Sequence, residues 1–575
     1  MGVQHDGIAG RQPIQDMLTP DEQYCIVEEP LGHARPVRIV TIGAGASGIN
    51  VARNVKEHMK NVEFQMYEKN SEIGGTWTEN RYPGCGCDIP SHNYQYSWAP
   101  NPRWNQYYSS QGEILTYFQD AAEKSGLIQF IKFQHKVVEA VWNESRGVWQ
   151  FKIENLATGE TFQDYAHFFI NASGYLNNWK WPDIAGLQDF QGDLMHSASW
   201  KPGTELYDKS VAVIGCGSSG IQLVANIQPM VKHLTTFIRQ PTWVTAGFGS
   251  KYAAPGGTNF NFTEEQKREF EENPKSYLEY RKAVEHELNC RFKMLHKDTP
   301  EQAAAMEFAT NEMIKRLGGP NELSDFIIPK FSVGCRRPTP GQGYLEALVA
   351  PNVSVITGTE ISHATSNGLV LSDGQIINVD VIICATGFDL SFRPRFPIIG
   401  RDEVSLAESW SERPTAYLSM TPADMPNYFM FLGPNAPVGH GSAIPIIEHL
   451  TKYMLKMIYK AQTEGYKSFV PLQDAIDEFV EHADTFLERM AWASKCRSWF
   501  KNGKETGPVT ALHPGSRIHW FHLLGNIRHE DWEWKTVQRN RWAFLGNGFS
   551  VREGGGRDLT WYFDQPEEGY EGLIY

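Results

Sequence analysis

The sequence predicts an α/β fold made of two Rossmann-like dinucleotide-binding domains, with a helical insertion in the second. Three observations carry this. A β-branched apolar run, 36–42, leads straight into Gly43-Ala44-Gly45-Ala46-Ser47-Gly48 and a helical stretch, 49–58. The same arrangement returns at 209–214, Gly215-Cys216-Gly217-Ser218-Ser219-Gly220 and a helix through Ile227. Between them and the return of the fold at 331–337, residues 262–317 are rich in Glu, Lys and Arg, with apolar residues at helical spacing.

Totals set the bounds. At roughly 100–200 residues per domain, a chain of 575 residues holds about three to five units. Its apolar share of 41% is ordinary for a globular protein. A formal net charge of -14 argues against a nucleic-acid surface, because phosphate binding needs clustered Lys and Arg. The eight cysteines are scattered and too few for a disulfide scaffold. None forms a Cys-x-x-Cys pair, so neither a zinc ribbon nor a thioredoxin-like motif is available, and no metal is expected among the site residues. With no apolar leader at the start and no bilayer-length apolar run, the expectation is a reduced, cytoplasmic protein without a membrane partner.

Residues 1–35 read as a polar arm, with a short helix over 21–28. The first domain begins at Pro36. Strand, Gly-x-Gly-x-x-Gly and helix together are the context in which a dinucleotide fingerprint is meaningful. The glycines let the backbone approach a pyrophosphate at the helix N-terminus. A second strand, 62–68, ends in Glu68, an acid placed to bind a ribose diol. A glycine-, aromatic- and proline-rich loop follows from Gly74 to Asp88. Exposing Trp77 and Tyr82 there would be costly, and a planar ligand accounts for the composition better. A helix over 110–125 and strands over 137–151 and 162–171 complete this part, closed by Ala172-Ser173-Gly174.

In the second domain a strand over 234–238 is followed by Arg239, where the first domain has Glu68. An acid there repels a 2′-phosphate and an arginine binds one. The first site is therefore expected to take FAD and the second NADPH. Strands follow at 353–357, 368–371 and 379–385, and a turn at 385–389 leads back to the first domain. The last third carries a strand at 428–432, helices over 443–462 and 475–495, and an aromatic tail from Trp520. The expected division is 1–35 (arm), 36–186 and 386–575 (FAD-binding domain and tail), 187–240 and 331–385 (NADP-binding domain), and 241–330 (helical insertion).

Two longer motifs give a family resemblance. Phe190, Gly192, His196 and Trp200 fit Phe-x-Gly-x-x-x-His-x-x-x-Trp, with Lys201 where Pro or Asp is usual. Gly75, Trp77, Tyr82, Pro83, Gly84 and Asp88 fit a second pattern in full. Over roughly 36–499 the chain resembles the type I Baeyer–Villiger monooxygenases among flavin-dependent monooxygenases, and its ends look like those of fungal enzymes acting on secondary metabolites. The resemblance implies that NADPH reduces FAD, O2 gives a C4a-peroxyflavin, and a ketone becomes an ester or lactone. It maps the active-site arginine onto Arg337 and its carboxylate partner onto Asp88. It maps the 2′-phosphate contacts onto Arg239 and Arg336, and a nicotinamide-side contact onto Trp499. The expected FAD contacts are Gly43, Gly45, Gly48, Glu68, Thr76, Trp77, Thr78, Glu79, Asp88, Ile89, Tyr94 and Val137. Those for NADP are Gly86, Cys87, Asp88, Gly215, Cys216, Gly217, Ser218, Ser219, Gly220, Ile221, Arg239, Gln240, Arg336 and Trp499.

A fixed cation suits that chemistry, because a peroxide anion and an oxyanionic intermediate need positive charge in a dry site. Arginine stays protonated, and a carboxylate limits its desolvation cost. His196, by contrast, reads as a packed histidine at the seam 190–200. The rival readings are a nitrogen- or sulfur-oxygenating flavin monooxygenase, a disulfide reductase (for which Cys85-Gly86-Cys87 has the wrong spacing), and a non-catalytic NADPH-sensing flavoprotein. The ketone and the oligomeric state are not readable.

Overall fold

A computed structural model describes residues 24–563. Two five-stranded sheets organise it. In the first, the order is Tyr428–Met430, Phe168–Asn171, Val37–Ile42, Val62–Tyr67 and Ile131–Lys132, all parallel. In the second it is Val353–Thr357, His233–Ile238, Ser210–Ile214, Val381–Cys384 and Asp193–His196, again all parallel. Both central strands are apolar runs buried almost throughout, as expected of a parallel sheet covered on both faces. Helices Ala46–His58 and Ala443–Thr463 pack on each other beside the first sheet. The strands of the second sheet all lie between Phe168–Asn171 and Tyr428–Met430, so the second lobe is inserted into the first.

The insertion between the sheets' strands is helical: Glu264–Glu272, Pro274–Cys290, Pro300–Arg316 and Glu322–Ile327. Among the described residues no helix is long and apolar enough to cross a membrane.

Several expectations are corrected. The stretch 137–151 is not one strand but a hairpin, His135–Asn143 and Val148–Asn155, turned at Gly147 with φ 65°. The stretch 162–171 divides into Thr161–Ala166, which extends that hairpin's sheet, and Phe168–Asn171, which joins the parallel one. The helix expected over 475–495 is Gln473–Leu487, followed by a separate turn of 3-10 helix, Ala491–Ala493, after Met490 adopts extended backbone. No helix forms over 24–28, and the rest of that expected helix lies outside the described residues. Finally, Cys335 and Cys496, 161 residues apart, form a disulfide, so the cysteines are not all reduced. Spacing along the chain carried no sign of this pair, because only the tertiary fold brings the two segments together.

The seam 190–200 is packed only in part: Phe190 and the stretch 195–198 are buried, whereas Gln191, Gly192, Asp193 and Ser199 are exposed, and residues Asp193–His196 form an edge strand. His196 is fully buried and stacks on Trp179, with ring centroids 4.6 Å apart. Its Nδ1 accepts from the Ala198 backbone N–H at 3.1 Å. Burial lowers its pKa to about 4, so the ring is neutral and serves packing.

Candidate functional site

A cavity of about 2180 Å3 is lined by residues from both lobes. Each parallel sheet delivers its glycine loop to it. Gly43 holds φ 98°, and a Cβ there would sit 2.6 Å from the carbonyl oxygen of Ala172. Gly215 repeats the arrangement with φ 117°, packed on the carbonyl of Ala385. Ala172-Ser173-Gly174 and Ala385-Thr386-Gly387 are thus equivalent braces behind the two loops. Only glycine fits either position.

The helices that start at these loops, Ala46–His58 and Ser218–Ile227, have glycine N-caps, no side-chain cap and no acid in the first turn. Their first backbone N–H groups are therefore available to an anion. Three insertion helices, by contrast, are capped by Thr263, Thr299 and Asn321 side chains. Glu68 stands on the cavity wall at the end of Val62–Tyr67. Its carboxylate accepts from the backbone N–H of Ala44 at 2.7 Å and of Asn70 at 2.8 Å. Burial raises its pKa, and those two N–H groups oppose the rise. Asn177 Oδ1, buried in a cavity-lining residue, has no protein partner. Uncapped helix starts, an oriented acid and an orphan acceptor fit a dinucleotide.

Arg337 faces the same cavity from the other lobe. Its Nη2 donates to both carboxylate oxygens of Asp88 at 2.8 Å, and its Nε to Oδ2 at 3.1 Å. The side chains are 28% and 22% exposed, so the pair is shielded but reachable from the cavity. Burial opposes the charge on Arg337, yet Asp88 outweighs it, and the pKa lies above the usual arginine value. The guanidinium lies over the Phe248 ring at 5.3 Å. Trp499 completes the wall, with Tyr175 5.8 Å away between ring centroids. Burial pushes the Tyr175 phenol up to about 12, and Arg337 pulls against that rise.

Arg336, next in sequence, lies on the cavity wall. Its Nη1 donates to the Pro241 carbonyl at 3.2 Å. Burial lowers its pKa, the Cys216 thiol works against that, and Arg239 lowers it further by repulsion. An arginine on the wall with a second one near enough to repel it fits a phosphate ester.

Most of the expected site residues meet at this cavity. Gly43, Gly45, Glu68, Thr76, Trp77, Glu79, Gly86, Cys87, Asp88, Ile89, Tyr94 and Val137 line it, as do Gly217, Ser218, Ser219, Ile221, Arg336, Arg337 and Trp499. Thr78, Gly215, Cys216, Arg239 and Gln240 do not line it directly. Nor do Gly48 and Gly220, which pack against the Gly43 and Gly215 carbonyls and let helix approach strand. Sequence reasoning missed Tyr175, Phe248 and Gln222. Tyr82 Oη donates to Gln222 Oε1 at 2.7 Å, and Gln222 Nε2 donates to the Gly86 carbonyl at 3.0 Å, fastening the aromatic loop to the second lobe. No local pattern marks these residues; their proximity is tertiary.

Known proteins agree with this geometry. A flavin-binding monooxygenase-like family model matches residues 36–296. The chain is 40% identical over 519 residues to FAD-binding monooxygenase tazF of Aspergillus terreus, covering 89% of this chain and 92% of that one. It is 31% identical over 487 residues to a Baeyer-Villiger monooxygenase of Pseudomonas aeruginosa, covering 84% and 88%. The crystal structure of cyclohexanone monooxygenase from Rhodococcus sp. Phi1 bound to NADP+ superposes with a TM-score of 0.76 at 26% identity, over 88% of this chain and all of that one. Two parallel nucleotide-type sheets, a shared cavity and these relatives lead to one assignment: the chain belongs to the flavin-binding monooxygenase family.

Proposed function

We propose that this protein is an NADPH- and O2-dependent monooxygenase that inserts one oxygen beside a ketone carbonyl, giving an ester or lactone, on a bulky secondary metabolite. The observation that carries the reading is the Arg337–Asp88 pair, which faces a cavity shared by both glycine loops. The named relatives support it, one by its name as a Baeyer-Villiger monooxygenase and one by its fungal source.

In this reading the Gly43 loop, Glu68 and the wall from Thr76 to Asp88 hold FAD. The Gly217–Ser219 turn, Arg336 and Arg239 hold NADPH. The bound cofactors supply hydride and the reduced flavin that activates O2. The chain's own part is electrostatic. Arg337 keeps a proton at any working pH and holds positive charge where negative oxygen develops during addition to the carbonyl. Asp88 directs the guanidinium and keeps its charge from being stranded. Trp499 and Tyr175 supply aromatic walls that exclude water, and Phe248 backs the guanidinium of Arg337.

The test is Arg337→Ala assayed with a panel of ketones. Ester formation is expected to fall by at least about 10²-fold, the scale of losing one oxyanion donor, while NADPH still reduces the flavin. Undiminished ester formation overturns the reading.

A further inference from the structure

The segment 335–337 is fixed at both ends. At one end Arg337 is ion-paired to Asp88. At the other, Cys335 is bonded to Cys496. Between them stands Arg336, on the cavity wall. Cys496 belongs to the stretch that carries Trp499, three residues on, so one covalent bond ties both cavity-lining elements together.

The surroundings reinforce this tie. Ser494 Oγ donates to Ser332 Oγ at 2.9 Å, bridging the same two segments. Lys501 is 1% exposed and donates to the carbonyls of Ser494 at 2.5 Å and Glu505 at 2.9 Å, folding the Trp499 stretch onto itself. Both cysteines are buried, Cys335 at 0% and Cys496 at 3% exposure. A separate cleft of about 640 Å3 reaches their flanks, lined by Pro241, Ser332, Ser494 and Lys495. Pro241 is also the carbonyl partner of Arg336. The cleft is separate from the main cavity, and its lining stops at the neighbours of the two cysteines.

We propose that Cys335–Cys496 is a redox-responsive clasp that positions Arg336 and Trp499 for NADPH. Oxidised, it holds the two elements at one spacing. A dithiol reductant delivers two electrons and two protons, the S–S bond breaks to two thiols, and the dithiol becomes its own disulfide. The Trp499 stretch is then held to the arginine segment only by hydrogen bonds, so NADPH binds more weakly and reducing equivalents leak to hydrogen peroxide. Cys335 and Cys496 are positioning residues, not catalytic ones. The inference rests on the reading of Arg336 and Trp499 as NADPH contacts.

The experiment uses full-length, FAD-loaded enzyme, air-oxidised or treated with dithiothreitol, with thiols counted after denaturation. The structure assigns six free thiols to the oxidised form and eight to the reduced form, since the chain has eight cysteines. Rapid-mixing flavin reduction gives the apparent NADPH Kd, and peroxide per NADPH gives the leak; neither needs a known ketone. Reduction is expected to raise the Kd by at least about fivefold, the lower range of site-to-site coupling, and to raise the peroxide yield. The Cys335→Ser/Cys496→Ser double variant is expected to match the reduced enzyme and to ignore dithiothreitol. Eight thiols before and after treatment, or equal Kd and peroxide yield at six and eight thiols, overturns the proposal. Failure of NADPH to reduce the flavin in either form overturns it together with the cofactor assignment. Loss of ester formation alone counts only against the proposed reaction.

Discussion

Arg337 and Asp88 are 249 residues apart in sequence, yet they share three donor–acceptor contacts of 2.8 to 3.1 Å across the two lobes. The carboxylate comes from the aromatic loop of the first lobe and the guanidinium from the return of the second. Asp88→Ala removes the group that aims Arg337. Oxygenated product is expected to fall about 10²-fold, the cost of a misplacement near 1 Å, with flavin reduction by NADPH preserved. Product yield against peroxide yield checks this.

Arg336 and Arg239 are expected to set coenzyme preference. Arg336→Ser removes a charge-assisted donor, worth about 1.5–3 kcal/mol. KM for NADPH should rise by about ten- to a hundredfold, while KM for NADH stays nearly unchanged. Steady-state kinetics with both coenzymes decide the point. An equal rise for both would place Arg336 away from the 2′-phosphate.

Glu68 accepts two backbone N–H groups at the mouth of the first glycine loop. Glu68→Ala leaves both without a partner, at about 1–3 kcal/mol each. The variant is expected to lose bound flavin on purification and to melt lower than the parent. The ratio of flavin to protein absorbance and a melting curve are the measurements.

Acid sensitivity follows from buried histidines. His196 and His92 are 0% and 1% exposed, and burial lowers their pKa values to about 4 and about 3. Arg281 adds to the lowering at His92. A histidine depressed in the folded state binds a proton first in the unfolded state. Its contribution is therefore whole above the unfolded value near 6.5 and is lost as pH falls toward the folded value. Each should remove up to about 1.4 kcal/mol per pH unit over that window. Melting temperature measured from pH 7 down to pH 4 should fall, and His196→Gln should flatten the slope.

What the chain reveals to a reader of sequence is local. Both glycine loops and the paired arginines are written in contiguous residues, because strand, tight turn and helix start follow one another within a dozen positions, and Glu68 closes the next strand. The motif around Asp88 is equally compact. The hairpin turns where alternation stops, at Asn143-Glu144-Ser145-Arg146-Gly147, a local signal that reading 137–151 as one strand passes over. The helix ending at Leu487 was overextended because its apolar spacing outlasts its backbone hydrogen bonds. Tyr175, Phe248 and the Cys335–Cys496 bond share a different cause. Each depends on segments that meet only after the lobes close, and no periodicity encodes such a meeting.

The nesting of one sheet inside another also sets an order of assembly on the ribosome. Phe169 sits beside Tyr428 in the first sheet, whereas every strand of the second sheet, the last ending at Cys384, is made before Tyr428. The inserted lobe can therefore condense while its host still lacks an edge strand. Until the late strand arrives, Phe168–Asn171 offers an open side to any passing chain. Nascent copies stalled between those two points are where misassembly of this enzyme should begin.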